Sequence, residues 1–297
     1  MAQVSTAAPG HEERFGQTSR KDAWWLNPLL VFVGLMIFIV YTTWAGLEGK
    51  YFEIRQHAER FSGPDTAPYL SPMYSPLLYD ADSPHAWIQQ AKPSWWPTGL
   101  PFSAAVLILA GPGLFRLTCY YYRKAYYRAF WADPPACAVG EPRKTYWGEN
   151  HWPLLLQNAH RYTLYVALLF LIMLWIDVAR AFWWPTDGDG HYLGGAHQIG
   201  MGLGTVVMLV NVILLSGFTF GCNSFRHLTG GRLNCFNCDA ARKYTPQKRP
   251  AYYTWRFSTF FNNNHMGWAW LSLISVGFAD LYIRLCAMGI WKDLRFF

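Results

Sequence analysis

Residues 26–47 read LNPLLVFVGLMIFIVYTTWAGL, an apolar run that contains no Asp, Glu, Lys or Arg. An α-helix needs about 20 consecutive, mostly apolar residues to cross the hydrocarbon core of a bilayer. Trp24 and Trp25 directly precede the run, and tryptophan is enriched at the membrane–water interface. The stretch therefore predicts a transmembrane helix, and it makes the chain a membrane protein.

Four further apolar stretches follow, so the sequence predicts an all-α fold: a polytopic membrane helical bundle with about five transmembrane helices. The predicted spans cover about residues 26–47, 98–119, 161–184, 197–216 and 265–290. Residues 1–23 form a polar N-terminal tail, and residues 24–297 form the membrane domain. The polar segment 48–97 is too long for a simple turn, so we expect a small cap outside the bilayer.

Glycine and proline positions add detail to two of these spans. The sequence Gly111-Pro112-Gly113 interrupts the second span and predicts a kink there. The fourth span opens with Gly200, Gly202 and Gly204, which predict close helix packing.

The composition fits a membrane protein. Charged residues make up 14% of the chain and aromatic residues 18%, with 16 Trp, whereas soluble domains carry about 25% charged residues. The net charge of +7 does not indicate nucleic-acid binding, because the basic residues lie between apolar runs. The six cysteines do not form the pattern of a secreted disulfide framework. Membrane lipid, and not nucleic acid, is the partner that the composition predicts.

The basic residues also predict the topology. Fifteen Lys and Arg fall in the tail and in the loops 118–160 and 217–265, against six in the segments on the other side. Because cytoplasmic loops carry the excess of basic residues, we expect a multi-pass protein of the bacterial inner (cytoplasmic) membrane with its N-terminus in the cytoplasm.

Cysteine and histidine converge on this predicted cytoplasmic side. One stretch has the spacing Cys222-x4-His227-x7-Cys235-x2-Cys238. Thiolates and imidazoles bind zinc and iron–sulfur centres, so these four are the first candidate metal ligands. The candidates to replace one of them are Cys119, Cys137 and His160. The spacing matches neither a Rieske pattern nor a standard zinc finger, and a solvated loop with unrelated cysteines is the plain alternative.

Two further cofactors are compatible with the same side of the membrane. His160 and His265 lie at span ends and could face each other as axial ligands of haem b. Quinone needs an apolar slot with a few hydrogen-bond donors. The candidate quinone-binding residues are Tyr120, Tyr121, Trp147, His160, Arg161, Arg226 and His227.

Charged residues near the far ends of two spans predict ion pairs. Asp177 and Arg180 are three residues apart, and Asp280 and Arg284 are four apart. A charge inside a membrane is costly unless it is paired. We expect pairing within each helix or across the two helices.

Four motifs carry a family resemblance: CYYYRKAYYR at 119–128, PPAC at 134–137, GCNSFRHLTGG at 221–231 and DLYIRL at 280–285. In these motifs the chain resembles the membrane anchor subunit of bacterial succinate dehydrogenases, of the single-anchor, five-span type found in actinobacteria. The resemblance implies a subunit that performs no succinate chemistry, binds a flavoprotein and an iron–sulfur subunit, and passes electrons to quinone. It also implies a Rieske-like [2Fe–2S] cluster in some members; the histidine expected after the cysteine of the third motif is Asn223 here.

The resulting hypothesis is an electron-transfer subunit of a succinate:quinone oxidoreductase, part of an enzyme but with no catalytic residue of its own. Electrons would reach quinone through a cluster or directly. The alternatives are an anchor that carries haem b, and a non-redox membrane protein with a structural zinc loop.

Overall fold

The computed structural model describes residues 14–54, 68–143, 150–152, 154–185, 197–230 and 249–297, and it is mostly helical. The α-helices are α1 (Leu26–Glu48), α2 (Ala104–Ile108), α3 (Ala110–Leu117), α4 (Tyr120–Tyr126), α5 (His160–Ala181), α6 (Leu203–Phe220), α7 (Asn223–Thr229), α8 (Arg249–Asn262) and α9 (His265–Ala287). A π-helical segment (Tyr127–Trp131) continues α4, and a 3-10 segment (Leu154–Ala159) leads into α5. Two short antiparallel strands, β1 (Trp183–Pro185) and β2 (His197–Ile199), pair beyond the end of α5. The predicted helical membrane fold is confirmed.

Four helices in the described part of the chain are long and apolar enough to cross a membrane. They are α1, α5 with its preceding 3-10 segment, α6 and α9. The second predicted span is instead built from the short helices α2 and α3, which are separated at Leu109. Pro112 explains the break, because its ring would clash with the carbonyl of Ile108, the last residue of α2.

The outer surface of α1 is apolar. Leu30, Ile37 and Val40 are 63%, 66% and 60% exposed. A soluble protein rarely leaves such a continuous apolar surface uncovered, whereas a lipid bilayer covers it without cost. Helix α6 is more enclosed, and it packs against α5 and α9 in the centre of the bundle.

A cap made of residues 49–54 and 68–103 covers one end of the bundle, called the cap end below. Its core contains Phe52 and Tyr74, whose rings stack at 4.3 Å. The Tyr74 hydroxyl donates to the carbonyl of Ala45 in α1 at 2.8 Å, which attaches the cap to the membrane helices.

The glycines of the fourth span predicted a close packing contact, and the structure places the cap in that position. A Cβ on Gly204 would lie 2.3 Å from the Tyr69 ring of the cap. Gly200 and Gly202 precede the first turn of α6 and face Trp184 and Asp293. The glycines therefore admit the cap and the C-terminal tail, and not a neighbouring membrane helix.

Ion pairs at the cap end form within the helices. Arg180 lies 3.7 Å from Asp177, and Arg284 lies 3.3 Å from Asp280 and also pairs with Glu48 of α1. Cap serines 71 and 75 donate hydrogen bonds to Asp280 and Asp177 respectively. The expected pairing within each helix is confirmed. The alternative of pairing across the two helices is wrong, because the cap and Glu48 supply the remaining partners.

At the opposite end, the described part of the N-terminal tail packs on the loop that carries Cys137. The backbone N–H of Gly16 donates to the Gly140 carbonyl at 3.0 Å, and the N–H of Gly140 donates to the Gln17 carbonyl at 2.9 Å. The Arg20 guanidinium donates to the Cys137 carbonyl at 2.9 Å. The tail is thus docked from residue 14 onward.

Candidate functional site

Two cysteines and two histidines meet inside the bundle, at the end opposite the cap. His160 Nε2 lies 3.1 Å from Cys222 Sγ, and His265 Nε2 lies 3.8 Å from Cys119 Sγ. We call these four residues the Cys/His group. Both cysteines are 2% exposed and His265 is 3% exposed, whereas His160 is partly buried, so most of the group is shielded from solvent.

The four residues occupy equivalent positions at helix starts. Cys119 and Cys222 are the residues directly before α4 and α7, both with extended backbone. His160 and His265 are the first residues of α5 and α9. The group therefore forms where two long helices begin beside two short surface helices.

Phenylalanines cover both imidazoles. Phe115 stacks on His160 with the ring centroids 4.7 Å apart, and Phe218 stacks on His265 at 5.1 Å. The two phenylalanine rings also touch each other edge to face at 5.4 Å. Each phenylalanine lies four residues before a cysteine of the group, so the chain carries the spacing Phe-x3-Cys twice.

Hydrogen bonds orient His160. Thr118 Oγ1 lies 2.9 Å from His160 Nδ1 and donates its own proton to the carbonyl of Leu114 at 2.7 Å. The threonine oxygen therefore accepts from Nδ1–H, which places the lone pair of the imidazole on Nε2, toward Cys222. A ligating histidine commonly donates its other ring N–H in this way.

The hydrogen bonding of His265 and the ionisation of Cys222 differ from the well-paired state of His160. His265 Nδ1 is buried and has no hydrogen-bond partner among the described residues. Burial raises the pKa of the Cys222 thiol above its ordinary value, although the N–H groups of Phe225 and Ser224 oppose the shift. A bound cation would oppose this shift and favour the thiolate.

The arrangement does not converge on one point. Within the described ranges, no three His, Cys, Asp or Glu side chains are placed to hold a single metal ion. The close contacts are two separate sulfur–nitrogen pairs.

The first-ranked ligand set from the sequence differs from this group. Cys235, Cys238 and the quinone candidate Trp147 lie outside the described residues. Cys137 is exposed on its loop, and His227 lies in the last turn of α7. The structure brings together Cys222 from the first set, Cys119 and His160 from the replacements, and His265, which the sequence suggested only as a haem ligand.

The other quinone candidates surround this end of the bundle. Tyr120 is 60% exposed and its ring lies 4.8 Å from the Arg123 guanidinium. Arg161 is exposed on the first turn of α5. Arg226 lies 4.7 Å from the Trp255 ring. These residues belong to the surface around the Cys/His group and not to its interior.

A pocket of about 390 Å³ opens beside the group, between α1, α4 and α9. Tyr121 lines the pocket and makes an edge contact with His265, with ring centroids 5.1 Å apart. Lys124 and Arg128 contribute the charges, and Trp24 and Trp270 contribute apolar surface. Sequence reasoning did not select Trp24 and Trp270 for this site, because Trp24 precedes the first predicted span and Trp270 lies in the fifth.

Comparison with known proteins identifies the family. The sequence profile described as actinobacterial succinate dehydrogenase subunit SdhC matches residues 26–289. The chain belongs to this SdhC family. A solved structure described as the Mycobacterium smegmatis Sdh1 complex in the apo form contains a chain similar to this one, with 37% sequence identity and a TM-score of 0.76 over 98% of each chain. No curated protein matches the sequence. The chain is therefore a membrane subunit of succinate dehydrogenase, as its motifs predicted.

Proposed function

We propose that this membrane subunit anchors the flavoprotein and iron–sulfur subunits of succinate dehydrogenase and conducts electrons from the iron–sulfur subunit to quinone. The Cys/His group is the single observation that carries the electron-transfer part of the proposal. Two thiols and two imidazoles lie in contact with one another in a largely buried site. They are the ligand types of an iron–sulfur centre.

A Rieske-like [2Fe–2S] cluster fits the residues of the group. A Rieske centre takes two thiolates on one iron and two imidazoles on the other, and the two cysteines and two histidines of the group are the side-chain types of that ligand set. Cys119 and Cys222 would supply the thiolates, and His160 and His265 the imidazoles. The cluster, when bound, supplies one-electron redox chemistry at a raised potential. The protein's own residues hold the ligands, orient His160 through Thr118, and exclude water with Phe115 and Phe218.

The two alternatives receive less support. Haem b requires a flat space between its two axial histidines, whereas His160 and His265 contact sulfur atoms and are each covered by a phenylalanine. A structural zinc requires ligands that converge on one ion, and the described part of the chain has no such set. Cys235 and Cys238 remain zinc candidates outside the described residues.

Quinone reduction belongs to the pocket beside His265. The pocket offers the aromatic walls of Trp24 and Trp270 and the donors Asn27, Lys124 and Arg128. Its contact with the group through Tyr121 keeps electron transfer short. The candidates Tyr120, Arg161, Arg226, His227 and Trp147 would act around its entrance and at the docking surface. The excess of basic residues in the tail and in the loops 118–160 and 217–265 supports a cytoplasmic N-terminus. This orientation would place the end of the bundle that holds the Cys/His group toward the soluble subunits.

The test uses the whole complex, purified from membranes in mild detergent. Iron, zinc and the optical spectrum are measured, followed by low-temperature EPR. Cys119→Ser and Cys222→Ser are compared with Cys286→Ser, a buried cysteine at the cap end that serves as the control.

We expect a Rieske-type signal in the wild-type complex and in the Cys286 variant, and its loss in the other two, while the signals of the soluble iron–sulfur subunit persist. A Soret band at wild-type stoichiometry, or zinc without the Rieske-type signal, would overturn the cluster. Failure of the soluble subunits to co-purify would overturn the anchor function.

A further inference from the structure

Arg116, in the last turn of α3, is a partly buried cation whose hydrogen-bond partners are neutral. Its guanidinium donates to the Tyr122 hydroxyl at 2.7 Å, to Ser272 Oγ at 3.0 Å and to the carbonyl of Ala269 at 3.3 Å. Within the described ranges, no carboxylate lies within ion-pair distance of it. Among the described residues, no ion pair therefore offsets the positive charge of Arg116.

This arrangement differs from that of the other charges inside the bundle. Arg180 pairs with Asp177, and Arg284 pairs with Asp280 and Glu48. An unpaired cation in a membrane is costly and usually marks a functional position. Arg116 also lines a cavity of about 190 Å³ whose other walls are mostly apolar, so the surroundings screen its charge weakly.

The charge lies next to the Cys/His group. The guanidinium carbon of Arg116 lies 4.8 Å from the centroid of the Phe218 ring, and the Phe218 centroid lies 5.1 Å from that of His265. The guanidinium is thus no more than about 10 Å from the imidazole centroid. Its three hydrogen bonds prevent it from turning away.

We propose that Arg116 is a positioning residue whose fixed positive charge raises the reduction potential of the centre held by Cys119, His160, Cys222 and His265. The inference rests on the proposed function of the Cys/His group. Reduction adds one negative charge to the centre, and a nearby cation stabilises the reduced form. A unit charge at about 10 Å and an effective dielectric constant of about 20 changes the oxidised-to-reduced ratio by roughly tenfold.

Arginine suits this role better than lysine. The guanidinium stays protonated in any protein environment, and its planar fork can engage three acceptors at once. The charge is therefore present at every pH at which the complex works, and its position relative to Phe218 is fixed.

The experiment is an equilibrium redox titration of the purified complex followed by EPR. Arg116→Gln removes the charge and keeps a hydrogen-bonding amide, whereas Arg116→Lys keeps the charge. Arg295→Gln is the control, because Arg295 lies against Trp184 at the cap end. The clusters of the soluble subunit serve as internal references in every sample.

We expect Arg116→Gln to shift the oxidised-to-reduced ratio at a given potential by about tenfold, equivalent to lowering the midpoint by about 59 mV for one electron. Arg116→Lys should shift it by less than half of that, and Arg295→Gln should leave it unchanged. An unchanged midpoint in Arg116→Gln would overturn the inference, as would an equal shift in Arg116→Lys, which would assign the effect to hydrogen bonding and not to charge.

The wild-type EPR signal distinguishes failure of the proposed function from failure of this inference alone. If the wild-type complex has no Rieske-type signal, the proposed function fails first, and the inference fails with it. If Arg116→Gln does not assemble, Ser272→Asp places a carboxylate beside the intact guanidinium. The same lowering of the midpoint is then expected, and an unchanged midpoint overturns the inference.

Discussion

Thr118 Oγ1 accepts a hydrogen bond from His160 Nδ1 at 2.9 Å, and this contact decides which nitrogen of the imidazole faces Cys222. The threonine can act only as an acceptor here, because its proton goes to the Leu114 carbonyl. A side chain outside the Cys/His group thus sets the tautomer of a candidate ligand.

Replacing Thr118 with valine keeps the shape of the side chain but removes this acceptor. We expect about 10-fold to 100-fold weaker retention of the metal centre, because His160 loses the partner that fixes its tautomer. The measurement is iron content and EPR amplitude after timed exposure to a chelator. Thr259→Val is the control, since Thr259 donates to its own helix at the Trp255 carbonyl. Equal retention in the two variants would contradict the role of Thr118.

Substitution of histidines distinguishes the two candidate ligand sets. We expect His265→Gln to remove the Rieske-type EPR signal, because His265 belongs to the buried group, and His227→Gln to retain it, because His227 lies on the surface helix α7. Co-purification of the soluble subunits checks assembly in both variants. Loss of the signal in His227→Gln together with its survival in His265→Gln would restore the set that the sequence spacing ranked first.

The attachment of the cap depends on the absence of a side chain at position 204. A Cβ on Gly204 would lie 2.3 Å from the Tyr69 ring, so Gly204→Ala must displace the cap or tilt α6. We expect an overpacking cost of about 1–3 kcal/mol, seen as a lower melting temperature of the complex.

Gly34→Ala is the matched control, because no heavy atom lies within 4 Å of the added Cβ. In a helix this change is neutral or stabilises by up to about 1 kcal/mol. Equal melting temperatures for the two variants would show that the cap tolerates the added methyl group.

The stability of the cap depends on pH through His85. Burial, assisted by the positive charge of Arg180, lowers the pKa of His85 to about 4. In the unfolded chain the His85 imidazole binds a proton below about pH 6.5, whereas in the folded protein it does so only near pH 4. The free energy of unfolding contributed by His85 is therefore complete above pH 6.5 and decreases as the pH falls toward 4.

Melting temperatures measured between pH 7 and pH 4.5 check this prediction. We expect the melting temperature to fall less on acidification in His85→Gln than in the wild-type complex. His151→Gln, at an exposed position, should retain the wild-type pH dependence. An identical pH dependence in the His85 variant would show that His85 does not titrate in this range.

The sequence by itself determined the fold class, a helical membrane bundle, and the family. Apolar runs such as 26–47 have one stable outcome in a bilayer, because an unpaired backbone cannot remain in hydrocarbon and must form helices. Pro112 likewise predicted an interruption in the second span, since its missing N–H and its ring act on the local backbone. These signals are local, so they can be read along the chain.

Only the tertiary structure decided which cysteines and histidines meet. Spacing within one stretch favoured Cys222 with His227, but the contacts of Cys222 and Cys119 are His160 and His265, from the starts of two distant helices. The repeated Phe-x3-Cys spacing was the available sequence signal for the two cysteines. It could not be interpreted from the sequence, because each phenylalanine covers a histidine that comes from another helix. Linear spacing specifies neighbours on one helix, whereas the packing of helices against each other selects the partners across the bundle.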